Sequence, residues 1–422
     1  MARRLHSHAA LAAALACSAC TALVFSGCSS DPSATSADAG ETESSVEASV
    51  DAPDDTNDGG GGCPDTPFDC SETAGDASTG TVPGTSAQQS VPFNLRCAGL
   101  YACWSNKTVA ASRRQYSPAY VLYSDGADKT RWLYLPAGTQ IDTGGNDAGS
   151  PDEWVFPVGT ELWKEFKLAG KRVETRRLWK ASASEWVYSV WLWSDDESSA
   201  TLWNAGKTLP NPARPGKTYE IPAVTDCSNC HDGHTDRILS VDAWSLGAPG
   251  ATGVTLDGLK GEGRLTSWPY GTSIASPEDS TGKFAAAQAW YYNNCGFCHR
   301  PGRPGGAVGL YFYLPVKPAL YDTSSGTGAG GLPDGGNGLP FSATPIYTTG
   351  VNVGSFNGAA YPSPTYARIK PHDVVHSVAP LRDTIRDATG QGIAPGQMPP
   401  VLQRSVDDAG VAATTDWINA LP

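Results

Sequence analysis

The chain has 422 residues, of which 40% are hydrophobic, and its formal net charge at pH 7 is −13. This length allows two or three domains, and the apolar fraction is sufficient to form hydrophobic cores. Thirteen acidic residues and no Lys or Arg lie in 29–90, so the rest of the chain is nearly neutral. Nucleic acid binding requires a basic surface, and nucleic acid is therefore not expected as a partner.

The N-terminus has the pattern of a secretion signal. Arg3 and Arg4 precede an Ala/Leu-rich stretch over 9–25 that is too short and too interrupted for a membrane span. The stretch ends in Phe-Ser-Gly-Cys28, which resembles the lipobox of bacterial lipoproteins. We therefore predict a signal peptide over 1–27 and lipidation of Cys28. The alternative is ordinary signal cleavage nearby, with Cys28 as a spare thiol.

Residues 28–90 are predicted to form a lipid-anchored, disordered acidic tether. They are rich in Ser, Thr, Asp, Gly and Ala and contain too few aliphatic residues to bury a core. A flexible coil of this length spans about 45 Å, which would hold a folded domain clear of the lipid headgroups. Ser29 resembles the residue that directs such lipoproteins to the outer membrane. We expect a cell-envelope protein that is anchored to that membrane and faces the periplasm or the cell surface.

Cysteines near the junction of the tether with the folded part are expected to be disulfide-bonded, because disulfides persist outside the cytoplasm. Two pairs are predicted, either local or crossed, from Cys63, Cys70, Cys97 and Cys103. Spacing alone does not choose between these connectivities.

An antiparallel β domain is predicted over 91–222. Eight of the 13 Trp lie between Trp132 and Trp203. Segments rich in aromatic and β-branched residues are bounded by Pro, Gly and Ser at 131–135, 161–168, 173–179 and 186–193. Ala169-Gly170 between two of these segments is typical of a β-hairpin. We expect the Trp side chains to form the core, whereas an exposed cluster would indicate a ligand-binding surface.

A Cys-x-x-Cys-His motif occurs twice, as Cys227-Ser-Asn-Cys230-His231 and as Cys295-Gly-Phe-Cys298-His299. Two thiols on one helical turn can form thioethers with the two vinyl groups of haem, and the following histidine can ligate the iron. Two such motifs in an exported chain predict two covalently bound c-type haems. The alternatives are a four-cysteine zinc site and redox or structural disulfides. Zinc would explain the cysteine spacing but not the histidine after each pair.

Candidates for the second axial ligands are few. Met398, the one methionine besides the initiator, is followed by two prolines that restrict the backbone. We predict that it ligates the second haem, although an isolated methionine is often a core residue. His372 and His376 lie four apart after a proline, and one of them could ligate the first haem. His234 is too close to His231 to reach the opposite face. The alternative leaves the first iron open or otherwise ligated.

Two helical stripes support a cytochrome c-like region over 223–422. Apolar positions recur at helical spacing on one face of a helix that enters the second motif, at Phe284, Ala287, Tyr291 and Cys295. A C-terminal helix has a similar stripe, with Trp417 beside it, at Val411, Thr414, Ile418 and Leu421. The order of attachment motif first and methionine near the end matches a class I cytochrome c unit. The predicted fold class is a multidomain α+β protein, with an N-terminal antiparallel β domain followed by a mainly α dihaem region.

The chain resembles bacterial dihaem c-type cytochrome lipoproteins that carry a β domain before the haem units. The matching segments are LYSDGADKTRWLYLPAGT (122–139), WVFPVGTELWKEF (154–166), VETRRLW (173–179), CSNCH, NNCGFCHRPGRPGG (293–306), QMPPVLQRSVD (397–407) and WINAL (417–421). This resemblance implies one haem held by the first motif and a second haem held by the second motif and Met398. It implies little about a substrate.

The expected function is electron transfer by an exported, membrane-tethered dihaem cytochrome that exchanges electrons with redox partner proteins. One alternative is a haem redox enzyme, such as a peroxidase, with one open haem. Another is a Trp-rich module that binds a surface or a glycan and is coupled to the haems. We find no Ser/His/Asp or paired-carboxylate pattern to assign as catalytic residues. The sequence therefore favours an electron-transfer protein over a catalyst.

Overall fold

The computed structural model describes residues 63–74, 85–144, 154–233, 236–268, 271–274, 276–315, 340–356, 359–390, 392–400 and 402–422. The predicted signal peptide, Cys28, most of the predicted tether and His234 lie outside the described residues. Gly59–Pro422 forms one compact unit. Within the described ranges, no helix is both long enough and apolar enough to cross a membrane.

A seven-stranded antiparallel sheet dominates the first half of the described chain. The described strands are β1 (Tyr101–Cys103), β2 (Thr108–Val109), β3 (Arg114–Ser117), β4 (Asp128–Tyr134), β5 (Glu161–Leu168), β6 (Lys171–Lys180), β7 (Trp186–Trp193), β8 (Ala200–Leu202), β9 (Ala205–Pro210), β10 (Thr218–Ala223) and β11 (Thr252–Gly253). The strand order in the large sheet is β11-β3-β4-β5-β6-β7-β8, while β1 pairs with β2 and β9 with β10.

The central strands form where aromatic and β-branched residues were expected to form them. Strands β5 and β6 are joined by Ala169 and Gly170, whose φ angles of 48° and 84° give the left-handed turn that a tight hairpin requires. The predicted hairpin and the antiparallel sheet are therefore confirmed. The described helices are α1 (Ser86–Gln89), α2 (Ser228–His231), α3 (Ala243–Gly247), α4 (Leu256–Gly261), α5 (Phe284–Asn294), α6 (Pro345–Gly350), α7 (Val378–Thr384) and α8 (Asp408–Ala420). Together, sheet and helices make a mixed α+β fold.

The two faces of the sheet are covered by different parts of the chain. Trp163 and Trp191 are fully buried on one face, where they pack with residues that precede β3. On the other face, Leu162 and Leu178 pack with Trp244 and other residues that follow the first motif. None of the eight Trp between Trp132 and Trp203 is exposed. Seven of these side chains pack in or against the hydrophobic cores, and Trp203 is half-buried.

Strand β11 returns to this sheet from the region that follows the first Cys-x-x-Cys-His motif. Thr252 pairs with Ser117 and Gly253 pairs with Tyr116 of β3. The chain between β10 and β11, which carries that motif, therefore has both ends attached to strands.

Helices α5 and α8 pack against each other after the second motif. The ring centroids of Phe284 and Trp417 are 5.3 Å apart. Trp417 and Ile418 are fully buried in the core that these helices share. The stripe on α5 is buried at Phe284, Ala287 and Tyr291, and Cys295 follows the end of the helix. On α8, Thr414 and Ile418 are buried as predicted, whereas Val411 is half-buried and Leu421 follows the end of the helix. Trp417 lies within the buried face of α8 rather than beside it.

Two disulfides connect the first described segment to the start of the sheet region. Cys63 pairs with Cys103, and Cys70 pairs with Cys97, so the second loop lies inside the first. The four cysteines thus pair between the two loops rather than locally. Asp65 adds to this junction by accepting hydrogen bonds from the backbone N–H groups of residues 104 and 105.

Candidate functional site

The first Cys-x-x-Cys-His motif forms one helical turn directly after β10. A 3-10 turn over Val224–Asp226 leads into α2, and the N–H of His231 donates to the carbonyl of Cys227 at 3.0 Å. This turn brings Cys227, Cys230 and His231 to the wall of a cavity, which we call cavity 1. The imidazole Nδ1 lies 2.6 Å from the carbonyl oxygen of Arg237. The same ring packs against Tyr188, with 5.5 Å between ring centroids.

The second motif forms a similar turn at the C-terminus of α5. The N–H of His299 donates to the carbonyl of Cys295 at 2.8 Å. The imidazole Nδ1 of His299 lies 3.1 Å from the carbonyl oxygen of Leu310, and Phe312 packs edge-on against the ring. Burial lowers the pKa of His299, which keeps the imidazole neutral as a metal ligand requires. The two motifs therefore have the same local geometry.

The contact between Nδ1 and a backbone carbonyl is informative for both histidines. Histidines that ligate a metal almost always donate their other ring N–H to a carbonyl, a carboxylate or water. A carbonyl acceptor at Nδ1 puts the proton on that atom and assigns the ligand role to Nε2. His231 and His299 thus share the arrangement that orients an axial ligand.

Cavity 2 lies beside the second motif and has a volume of about 510 Å³, within the usual range for ligand sites. Cys295, Cys298, His299 and Met398 all line it. The N–H of Met398 donates to the carbonyl of Arg382 at 3.0 Å, which fixes the backbone there. The structure thus brings the thioether, the imidazole and two thiols to one cavity. This donor set suits a covalently attached haem with histidine and methionine ligands.

Cavity 1 is smaller, about 120 Å³, and is bounded on one side by the sheet. Long cationic side chains fill that side, namely Lys129, Arg131, Lys164 and Arg176. The motif supplies the thiols and the imidazole that a c-type haem needs. A haem at this position requires these long side chains to rearrange along the wall of the cavity.

The two cavities adjoin. Their shared lining residues are Cys230, Asn294, Phe297 and Pro399. At Gly233, an added Cβ would overlap the carbonyl oxygen of Phe297, so a side chain there would separate the two motifs. The attachment turns of the two sites are therefore in direct backbone contact.

The positions of the four motif cysteines do not suit the alternatives, namely disulfides, a shared zinc ion or redox-active thiols. All four thiols are free, so neither pair forms a disulfide. Among the described residues, no three of these sulfurs lie within the 4.8 Å of one another that a shared zinc ion needs. Burial raises the pKa of Cys227 to about 11 and of Cys230 to about 12. Protonated thiols of this kind are poor redox nucleophiles.

His372 and His376 occupy different positions from those of the motif histidines. His372 has a φ of 58° and lies outside the 3-10 turn Val374–His376. Its Nδ1 lies 3.0 Å from the carbonyl oxygen of Asn419. His376 pairs with Asp373 at 2.8 Å. The described linings of cavities 1 and 2 include neither histidine.

No protein-family model, curated protein or solved structure matches the chain. The likeness to dihaem cytochrome lipoproteins therefore rests on the sequence segments alone. The site assignments rest on the geometry of the two motifs.

Some groups at these cavities were not found from the sequence. Arg131, Lys164 and Arg176 line cavity 1 from three strands, and only the sheet register brings them together. Charged residues are frequent in all three strands, so the sequence pattern does not single these side chains out. Asp383 lines cavity 2 with a buried Oδ2 that lacks a hydrogen-bond partner among the described residues. Burial raises its pKa to about 8.

Proposed function

We propose that this protein is an exported dihaem c-type cytochrome that transfers electrons between redox partner proteins. The observation that carries the proposal is a pair of adjoining cavities, each with a Cys-x-x-Cys-His turn. In each turn the histidine Nδ1 faces a backbone carbonyl, at Arg237 for the first and at Leu310 for the second. His372 makes a similar contact with the carbonyl oxygen of Asn419, so the contact supports the proposal only together with the Cys-x-x-Cys-His turn and the cavity at each motif.

Each motif would hold one haem through its own residues. The two cysteines of a motif would form the thioethers, and His231 or His299 would bind the iron through its imidazole. In cavity 2, the thioether of Met398 would be a further iron ligand. A bound haem supplies one-electron chemistry, because its iron exchanges one electron between the ferric and ferrous states. The surrounding residues fix the ligands and limit the access of water.

The shared wall of the two cavities supports electron transfer within the protein. Phe297 lies in the second motif and lines both cavities. The backbone contact between Gly233 and Phe297 keeps the two attachment turns together. An electron that enters at one site would therefore reach the other without leaving the chain.

A peroxidase-like enzyme remains a second candidate, because the described lining of cavity 1 includes no methionine and no histidine other than His231. An iron without a sixth protein ligand can bind a substrate. A glycan-binding module has less support, because none of the eight Trp between Trp132 and Trp203 is exposed.

The position in the cell envelope is also proposed. Cys28 would carry the lipid, and residues 28–90 would form the tether that precedes a β domain and a dihaem region. Replacing Cys28 with Ser should release the protein from membranes into a soluble fraction. A Cys28→Ser variant that stays in the membrane fraction would contradict the lipid anchor.

Pyridine haemochrome analysis of the purified protein tests the main proposal. We expect two c-type haems per chain, and one haem after replacement of Cys295 and Cys298 with Ala. The matched control is Ser228→Ala, which changes a position between the cysteines of the first motif and should leave both haems attached. Stoichiometric zinc without haem would contradict the proposal. Rapid binding of cyanide to the oxidised protein, with turnover of peroxide, would favour the enzyme over the electron carrier.

A further inference from the structure

Three cations from neighbouring strands form a row on the sheet face that lines cavity 1. Arg131 of β4 lies directly opposite Lys164 of β5, and Lys164 lies directly opposite Arg176 of β6. Side chains at paired positions project to the same face of a sheet. All three residues line cavity 1 together with Cys227 and Cys230 of the first motif.

This cation row is electrostatically unfavourable as it stands. Like charges at paired positions destabilise a sheet, and buried charges are costly without partners. Arg131 is 3% exposed, and its buried Nε has no hydrogen-bond partner. Burial, together with the charges of Arg131 and Arg176, lowers the pKa of Lys164 to about 7.

The nearby acids compensate one member of the row, Arg176, but not the other two. Glu174 pairs with Arg176 at 2.5 Å and also accepts a hydrogen bond from Tyr219. Glu220 pairs with Arg404 at 2.9 Å, away from the row. Among the described residues, Arg131 and Lys164 take part in no ion pair. Within the row, Arg131 and Lys164 therefore lack an anionic partner, and Lys129, which also lines the cavity, donates to Leu122 and Ser124.

We propose that the row formed by Arg131, Lys164 and Arg176 is a carboxylate-binding site that holds the propionates of the first haem. This inference rests on the proposed function. The thiols of the motif and the cations of the sheet both line cavity 1, so a haem bound by the thiols would have its carboxylates within the same enclosure. Guanidinium groups bind carboxylates through paired hydrogen bonds, and an ammonium group adds a point charge. The sheet would thereby become part of the first haem site.

The propionates would also explain why cations rather than apolar residues line this wall. Two carboxylates offset the charges of Arg131 and Lys164, which otherwise remain buried without partners. In return, the cations stabilise the reduced state of the first iron, because positive charge nearby disfavours the loss of an electron. The row should therefore raise the reduction potential of this haem and leave the other haem unchanged.

The test uses the holoprotein and the variants Arg131→Met and Lys164→Met. Resonance Raman spectra should show shifted propionate bending bands for one haem in each variant. Redox titration should show a lower midpoint potential for the same haem, while the second midpoint stays at its wild-type value. Lys164→Arg keeps the charge and should restore the wild-type potential, which separates the effect of charge from damage to the fold.

Lys167→Met is the matched control, because Lys167 lies on the opposite face of β5 and its side chain is 30% exposed. It should change neither the propionate bands nor either potential. Unchanged propionate bands in both Arg131→Met and Lys164→Met would overturn the inference. A change from low spin to high spin in Lys164→Met alone would also overturn it, since Lys164 would then be an iron ligand.

A third outcome concerns free oxyanions. If inorganic phosphate shifts the spectrum of the wild-type protein, and Arg131→Met abolishes this shift without moving the propionate bands, the row binds a free anion instead. Haem content separates this inference from the proposed function. If the protein holds two haems but the propionate bands do not change in the variants, only the carboxylate-binding role of the row is refuted. If the protein holds no haem, both this role and the proposed function are refuted.

Discussion

The contact between helices α5 and α8 gives a direct test of the fold around the second motif. Gly410 of α8 lies against the indole of Trp290, and an added Cβ would lie within 3.0 Å of three atoms of that ring. The ring is held in place because its Nε1 donates to Asp407 Oδ2 at 2.8 Å. Asp407 also caps α8, where its Oδ1 accepts from the N–H of Gly410 at 3.3 Å.

We expect Gly410→Ala to destabilise the protein by about 1.5–5 kcal/mol. Overpacking of this kind costs about 1–3 kcal/mol, and displacement of the ring also removes a hydrogen bond to a carboxylate worth about 1.5–3 kcal/mol. The change from Gly to Ala within a helix recovers about 1 kcal/mol. The packing terms therefore outweigh the gain in helix propensity.

Denaturant unfolding of the holoprotein, followed by circular dichroism, measures this change. Gly261→Ala is the matched control, since Gly261 ends helix α4 and an added Cβ would meet nothing within 4 Å. That variant should be unchanged or slightly more stable. If Gly410→Ala were as stable as Gly261→Ala, the close packing of α5 and α8 would be refuted.

The remaining predictions concern one buried acid, two histidines and one disulfide. Burial raises the pKa of Asp383 to about 8, so its contribution to the free energy of unfolding is present at low pH and is lost as the pH rises toward 8. Asp383→Asn should make the free energy of unfolding less dependent on pH, which unfolding experiments below and above pH 8 would measure. If this free energy fell with pH as steeply as in the wild type, Asp383 would not be the buried acid responsible. His372→Ala and His376→Ala should leave the absorption and EPR spectra of both haems unchanged, and a high-spin signal in either variant would show that it ligates iron. Replacing Cys70 and Cys97 with Ser should lower the free energy of unfolding by about 2–5 kcal/mol, and a thermal melt that matches the wild type would contradict this.

The sheet was predictable because its signals are local. The segments that form β5 and β6 contain aromatic and aliphatic residues between charged ones, and the Ala-Gly pair between them favours a tight turn. Helix α5 was predictable from the spacing of Phe284, Ala287 and Tyr291, which are all buried.

Other features depend on contacts between distant parts of the chain. Strand β11 has only two residues, which is too short for any periodic pattern. The cation row depends on the register of three strands, and a slip of one residue would turn Lys164 to the opposite face. His372 was expected near a helix start, but its left-handed backbone places it before the 3-10 turn instead.

The candidate site also combines features that could be predicted from the sequence with features that could not. The attachment motifs are contiguous in sequence, so their chemistry could be predicted from spacing. Met398 was selected because it is the one methionine besides the initiator, and the structure brings it to cavity 2. The adjoining position of the two cavities has no sequence signal, because it arises from the contact of Gly233 with Phe297.

The return of the chain to the sheet at β11 has a consequence for the order of folding. The hairpins between β4 and β7 join neighbouring segments, so they can form early. The pairing of β11 with β3 joins residues that are far apart in sequence, and the entropy of closing such a loop delays it.

Leu239 and Ser240, which line cavity 1, belong to the segment between the first motif and β11. We therefore expect cavity 1 to stay open on one side until the segment that ends in β11 docks on the sheet. During folding, the turn of the first Cys-x-x-Cys-His motif would then be formed beside the completed hairpins while it is still accessible from outside the protein. Loading of the first haem would belong to that interval, and docking of β11 would then close the compartment around it.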